Sequence, residues 1–162
     1  MTVSNDTPQR VTLVAVDIAK NYHDVLIQPP PPGRRRRVRV ANNRQDFEHL
    51  AGFLQGLKSS VLIGFEATGN YHRPLAYFLH EHGFELRLIP TLALARTREA
   101  MHNSWDKNDP KDAQVILHLL KTGLAQTWHD PMVNGVNDVQ ELSKTHFQVT
   151  LARVRVWHTL RN

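Results

Sequence analysis

Four carboxylates in three short segments are placed where they could meet. Asp17 closes the apolar run VTLVAVD, Glu66 closes VLIGFE, and Asp109 and Asp112 stand three apart in DKNDPKDA. Two strand ends and one helix start can bring such groups to one point. Magnesium takes oxygen ligands at about 2.0 to 2.1 Å and keeps waters that phosphates can replace, so the set suits phosphoryl transfer with Mg²⁺ or Mn²⁺. Each acid also has a plainer reading. Asp17 could simply end its strand. Glu66 is harder to explain away, because VLIGF precedes it without a polar spacer and a buried carboxylate needs a cation, a hydrogen-bond donor or a raised pKa. Asp109 followed by Pro110 is a good helix start, yet cap and ligand roles are compatible, since helix positions three apart lie on neighbouring faces. Asp106, one turn earlier, precedes that start and is a spare.

The elements that must carry these acids follow from hydropathy patterning. Segments 11 to 18, 23 to 28 and 36 to 41 read as strands, the third by its strict alternation. PPPPGRRRR, between the second and third, is an exposed connection, because proline cannot donate to a central ladder. Asn42 or Asn43 caps a helix over 44 to 58 with Phe47, Leu50, Phe53, Leu54 and Leu57 on its core face. SSVLIGF is a buried strand, NYHRPLAYFLHEHG a helix closed by Gly83, and FELRLI a strand ended by Pro90. Helices are expected over 91 to 101 and 110 to 122. The order β-β-β-α-β-α-β-α-α predicts an α/β fold: a five-stranded mixed sheet flanked by helices, of the ribonuclease H-like type, with 11 to 18 central and beside 60 to 65. Over 134 to 162, Val139, Leu142, His146, Val149, Arg153, Val156 and Leu160 recur at spacings of three and four. This is a coiled-coil-like helix, expected to associate into a homo-oligomer.

Composition narrows the partners. The 162 residues suffice for one full domain and a small appendage. Twenty Lys and Arg against 15 Asp and Glu give a net charge of +5, which favours polyanions through counterion release. Arg34, Arg35, Arg36 and Arg37, with Lys107 and Lys111 around Asp109, are the expected phosphate contacts. The chain has no cysteine, which rules out thiolate metal sites and disulfides within it and suits a reducing cytoplasm. No apolar run approaches the roughly 18 to 20 residues that span a bilayer, and MTVSNDTPQR is too polar for a signal peptide. No membrane role is expected. His72, His80 and His82 are read as surface and core positions rather than ligands, and Trp105, Trp128 and Trp157 as packing residues.

The ordered set VDIAK, FEATGNY and DKNDPKDA resembles the N-terminal catalytic domain of the DEDD-type insertion-sequence transposases, relatives of the Piv invertases with a RuvC-like domain. The most specific parts are Glu66-Ala67-Thr68-Gly69 with Tyr71, and Lys107 with Asp109, Asp112 and Ala113; the resemblance spans about residues 11 to 131. It implies that Asp17, Glu66, Asp109 and Asp112 are the catalytic and metal-binding acids. It also implies Mg²⁺-dependent DNA cleavage and strand transfer, a structured guide RNA as a further partner, and a bacterial, nucleoid-associated location. Family members continue through a coiled-coil region into a second domain bearing a catalytic serine. Residues 134 to 162 are then the start of that helical region, and this chain alone is expected to be incomplete for recombination. Two other functions compete. An actin-like ATPase fragment shares the strand order, but it calls for glycines beside the first-strand Asp, where Ile18-Ala19-Lys20 stands. A non-catalytic nucleic-acid-binding scaffold would use the acids only as caps and strand ends, and its binding would be indifferent to Mg²⁺.

Overall fold

The computed structural model describes residues 10–67, 69–102, 109–129 and 136–161. Two compact units divide the chain, one ending at Trp128 and the other starting at His129. In the first, apolar alternation forms β1 (Val11–Asp17), β2 (Tyr22–Gln28) and β3 (Arg36–Ala41), followed by α1 (Arg44–Gln55), β4 (Ser60–Glu66) and α2 (Arg73–Glu81). Then come β5 (Glu85–Ile89), α3 (Thr91–His102), α4 (Asp109–Lys121) and the two-residue β6 (Gln126–Thr127). The sheet order is β3-β2-β1-β4-β5-β6. β1 pairs antiparallel with β2 and parallel with β4, β4 is parallel to β5, and β2 and β3 are antiparallel. This is the expected ribonuclease H-like mixed sheet with β1 and β4 at its centre.

One strand more is present than the patterning predicts. Gln126 and Thr127 pair with Leu88 and Arg87, and Arg87 Nη1 donates to Thr127 Oγ1 at 2.6 Å. A strand of two residues carries no alternation for a sequence pattern to reveal.

Because successive strand residues point to opposite faces, the sheet has two cores. Val14, Val16, Val25, Ile27, Ile63 and Phe65 face α1 and α2. Ala15, Leu26 and Ile89 face α3 and α4, together with Leu94, Val115 and Ile116. α4 lies close on β4: a Cβ added to Gly64 would stand 2.6 Å from Leu120 Cδ2. Only glycine fits there.

Asn43 caps α1, its Oδ1 accepting from Asp46 N at 2.9 Å, while Asp46 Oδ2 accepts from Ala41 N at 2.7 Å. The two bonds satisfy donors on both sides of the helix start. Phe47, Leu50 and Leu54 are buried as expected, but Phe53 is not, being 38% exposed. At 100° per residue Phe53 lies about 120° around the helix from Phe47, outside the buried stripe, and Ala51 takes the core position instead. The helix ends at Gln55, short of 58.

The second unit contains α5 (Val136–Arg161). Leu142, Phe147, Val149, Val156, Trp157 and Leu160 are all exposed on it. Trp157 is therefore not a core residue of the chain. Trp128 packs at the edge of the first unit's core, with its ring 5.2 Å from His80. Trp105 lies outside the described residues.

Candidate functional site

Register brings two of the acids together. Val16 of β1 is the partner of Phe65 in β4, and Asp17 and Glu66 each follow one residue later, at the same end of adjacent parallel strands. Alternation puts both on the face of Ala15 and Gly64, the face that α4 covers. Both are half-buried. The carboxyl ends of sheet strands are where ligands of open α/β folds collect.

Asp112 comes from α4, in its first turn, and is 5% exposed. Arg98 of α3 donates from Nε to Asp112 Oδ1 at 2.6 Å, so a guanidinium compensates this buried charge. Asp109 opens α4, but its side chain lies outside the described residues, as do Asp106 and Lys107. Lys111 is half-buried beside Asp112. Among the described residues, no three His, Asp or Glu side chains stand close enough to hold a metal ion.

A further acid escaped the sequence reading. Asp24 of β2 is the register partner of Asp17, so Asp24, Asp17 and Glu66 stand side by side across three strands on one face. Asp24 is 9% exposed, and its carboxylate is drawn toward β3 by Arg37 Nη2 at 3.1 Å and Arg39 Nη2 at 3.4 Å. Its sequence signal was a charged residue inside the apolar strand HDVLIQ, at the position the hairpin places opposite a strand-end acid.

The arginine run does not make one patch. Strand alternation sends Arg36 to the α1 side, where its guanidinium covers the Phe53 ring at 4.8 Å, and Arg37 to the α4 side. Arg35 Nε donates to Gln28 Oε1 at 2.9 Å, and Arg34 is exposed. Arg39, which the run does not include, completes the α4-side pair.

Two histidines are held neutral near these elements. His72, against Phe65 with ring centroids 5.8 Å apart, has a lowered pKa, chiefly from burial and then from the Arg73 charge, partly offset by the Gly69 backbone. His23, beside Asp24, is fully buried against Phe47, and burial lowers its pKa against a smaller opposing effect of Asn42. Among the described residues, the Nδ1 of His72 and the Nε2 of His23 have no hydrogen-bond partner. His80 and His82 pack on Trp128 and Phe78.

The central parallel strands of this α/β sheet thus end in neighbouring acids. A transposase family model, of the DEDD type of IS110, matches residues 14–162, and the chain belongs to that family. It is a transposase domain, with DNA as its partner and phosphoryl transfer on DNA as its general chemistry. No curated protein matches the chain. Among solved structures it is similar to Thermus thermophilus RuvC in complex with a Holliday junction substrate, at TM-score 0.45 and 8% identity over 73% of this chain and 99% of that one. The Thermus thermophilus RuvC structure gives TM-score 0.44 and 8% identity over 72% and 99%. No helix among the described residues is long and apolar enough to cross a membrane.

Proposed function

We propose that this domain serves DNA strand cleavage and transfer in transposition as one part of the recombination machinery, with Mg²⁺ or Mn²⁺ held by Asp17, Glu66, Asp109 and Asp112. The observation that carries the reading is the placement of Asp17 and Glu66 side by side at the ends of the central parallel strands. Their donor chemistry fits: hard, half-buried carboxylate oxygens. Asp112 offers a second carboxylate oxygen beyond the one Arg98 engages. A bound divalent ion supplies charge stabilisation at a phosphate in displacement. The chain's own part is to fix the carboxylates on rigid strand ends and to hold Asp112 in place through Arg98.

The basic balance of the chain also suits a structured guide RNA, and the exposed apolar residues of α5 suit self-association through that helix. Sedimentation of the chain beside Leu142→Lys and Val149→Lys variants tests the second point, and equal monomers reject it. The principal test is cleavage of supercoiled or branched DNA with Mg²⁺ and with EDTA. Nicking is expected only with Mg²⁺ and is lost in Asp17→Asn and Glu66→Gln; equal nicking in EDTA or by both variants rejects the metal reading.

A further inference from the structure

A cleft of about 360 Å³ opens beside Asp17, lined by Lys20, Tyr22, Asp24 and Arg39. Its charge pattern is unusual for a structural ion pair. One nearly buried carboxylate, Asp24, accepts from two guanidiniums, whose side chains remain 41% exposed at Arg37 and 61% at Arg39. A single arginine would compensate Asp24. The second leaves one positive charge in excess, Lys20 offsets the charge of Asp17 in the same cleft, and each guanidinium has five N–H donors, of which the ion pair takes few. Arginine forks of this kind match phosphate oxygens, and fixing them beforehand lowers the entropy lost on contact.

Position says which phosphate. Arg39 lies two strands from Asp17, through Asp24, and ladders are spaced about 4.8 Å apart, so roughly 10 Å separates the two backbones. That reach suits a linkage neighbouring the one at the acids. We propose that Arg37 and Arg39, with Lys20, clamp a backbone phosphate of the DNA strand beside the bond to be cut, and that Asp24 is the positioning residue that fixes both guanidiniums. The inference rests on the reading of Asp17 and Glu66 as the cleavage site, but it has its own readout.

The test is binding of a fluorescent DNA duplex by anisotropy over a salt series, in EDTA so that the cation plays no part. Replacing both Arg37 and Arg39 by Ala is expected to lower the slope of log K against log salt by about 0.9, the one phosphate contact of the clamp, and each single variant by part of that. Arg44→Ala removes the same charge from α1, where Arg44 pairs with Glu48, and is expected to leave the slope unchanged. Asp24→Asn adds net positive charge, yet binding is expected to weaken because the forks lose their anchor. Equal slopes for Arg39→Ala and Arg44→Ala overturn the clamp. So does a slope change confined to an RNA duplex, or wild-type protein that fails to bind DNA. Tighter binding by folded Asp24→Asn overturns the positioning role; should that variant not fold, the exposed arginine positions still decide the clamp. Loss of the slope difference with Mg²⁺-dependent nicking intact condemns the clamp alone, whereas nicking that survives Asp17→Asn condemns the cleavage reading alone.

Discussion

Arg98 and Asp112 join α3 to α4 through a hydrogen-bonded ion pair of 2.6 Å between Nε and Oδ1, with side chains 19% and 7% exposed. The pair sits where α4 presents its candidate ligand. Removing one partner strands the other charge in a poorly solvated place, which typically costs about 3 to 5 kcal/mol, toward the lower end here because Arg98 retains some solvent. Arg98→Met is expected to lower the urea midpoint accordingly, and Arg98→Met with Asp112→Leu to recover most of the loss. A double variant as unstable as the single one would show that the pair is not what Arg98 supplies.

Gly64 fixes how closely α4 approaches the strand that carries Glu66. A methyl there would stand 2.6 Å from Leu120 Cδ2 and 2.7 Å from its Cγ, which forces the helix or the leucine to move. Gly64→Ala is expected to destabilise by about 1 to 3 kcal/mol, as overpacked cores do. Leu120→Ala added to Gly64→Ala should recover part of that loss, although Leu120→Ala alone is destabilising. Strictly additive losses in denaturant melts count against the contact.

How far these relationships could be read beforehand depends on the length scale that governs them. Strand order and central placement were legible, because β1 and β4 carry long apolar runs and their connections limit how they pair. Asn43 was legible as a cap, since capping chemistry is local. The family resemblance was legible in the short acidic motifs, and residues 14–162 match the family. Asp24 was not, since its place beside Asp17 depends on hairpin register, and register is a property of two strands. The splitting of Arg36 from Arg37 had the same origin: a run of identical residues looks like a patch until a strand sends alternate members to opposite faces. Phe53 failed for a smaller reason, a helical phase error at the edge of the apolar stripe.

His23 makes stability depend on pH. Its folded pKa lies below the ordinary value of 6.5, and the ring is fully buried with Nε2 unpartnered among the described residues, so the unfolded chain binds a proton more readily. Stability from this residue is complete above the unfolded pKa and falls as pH drops below about 6.5. The urea midpoint of the wild type should therefore decrease between pH 7 and pH 5. His23→Phe, which has no proton to take up, should show a shallower decrease, and His72→Phe a flattening of the same sign. Parallel pH profiles for wild type and His23→Phe would rule out His23 as the source.

The pairing of Asp17 with Glu66 sets a prediction with two opposite signs. Without a cation, two neighbouring carboxylates repel, so Glu66→Gln in EDTA should melt at a temperature equal to or above that of the wild type. With Mg²⁺ or Mn²⁺ in excess the order should reverse. A ligand bound only by the folded state stabilises by about 2.7 kcal/mol at a hundred times its dissociation constant. For a chain of this size that is roughly 5 to 10 °C, at about 2 to 4 °C per kcal/mol. The wild type should gain that rise and Glu66→Gln little of it. Calcium, equally charged but larger and less demanding of octahedral geometry, separates a built site from general screening of an acidic pair. If Ca²⁺, Mg²⁺ and matched monovalent salt all raise the two proteins equally, the acids repel each other but hold no ion. A crossing of the two melting curves with Mg²⁺ instead assigns the strand-end carboxylates to a cation.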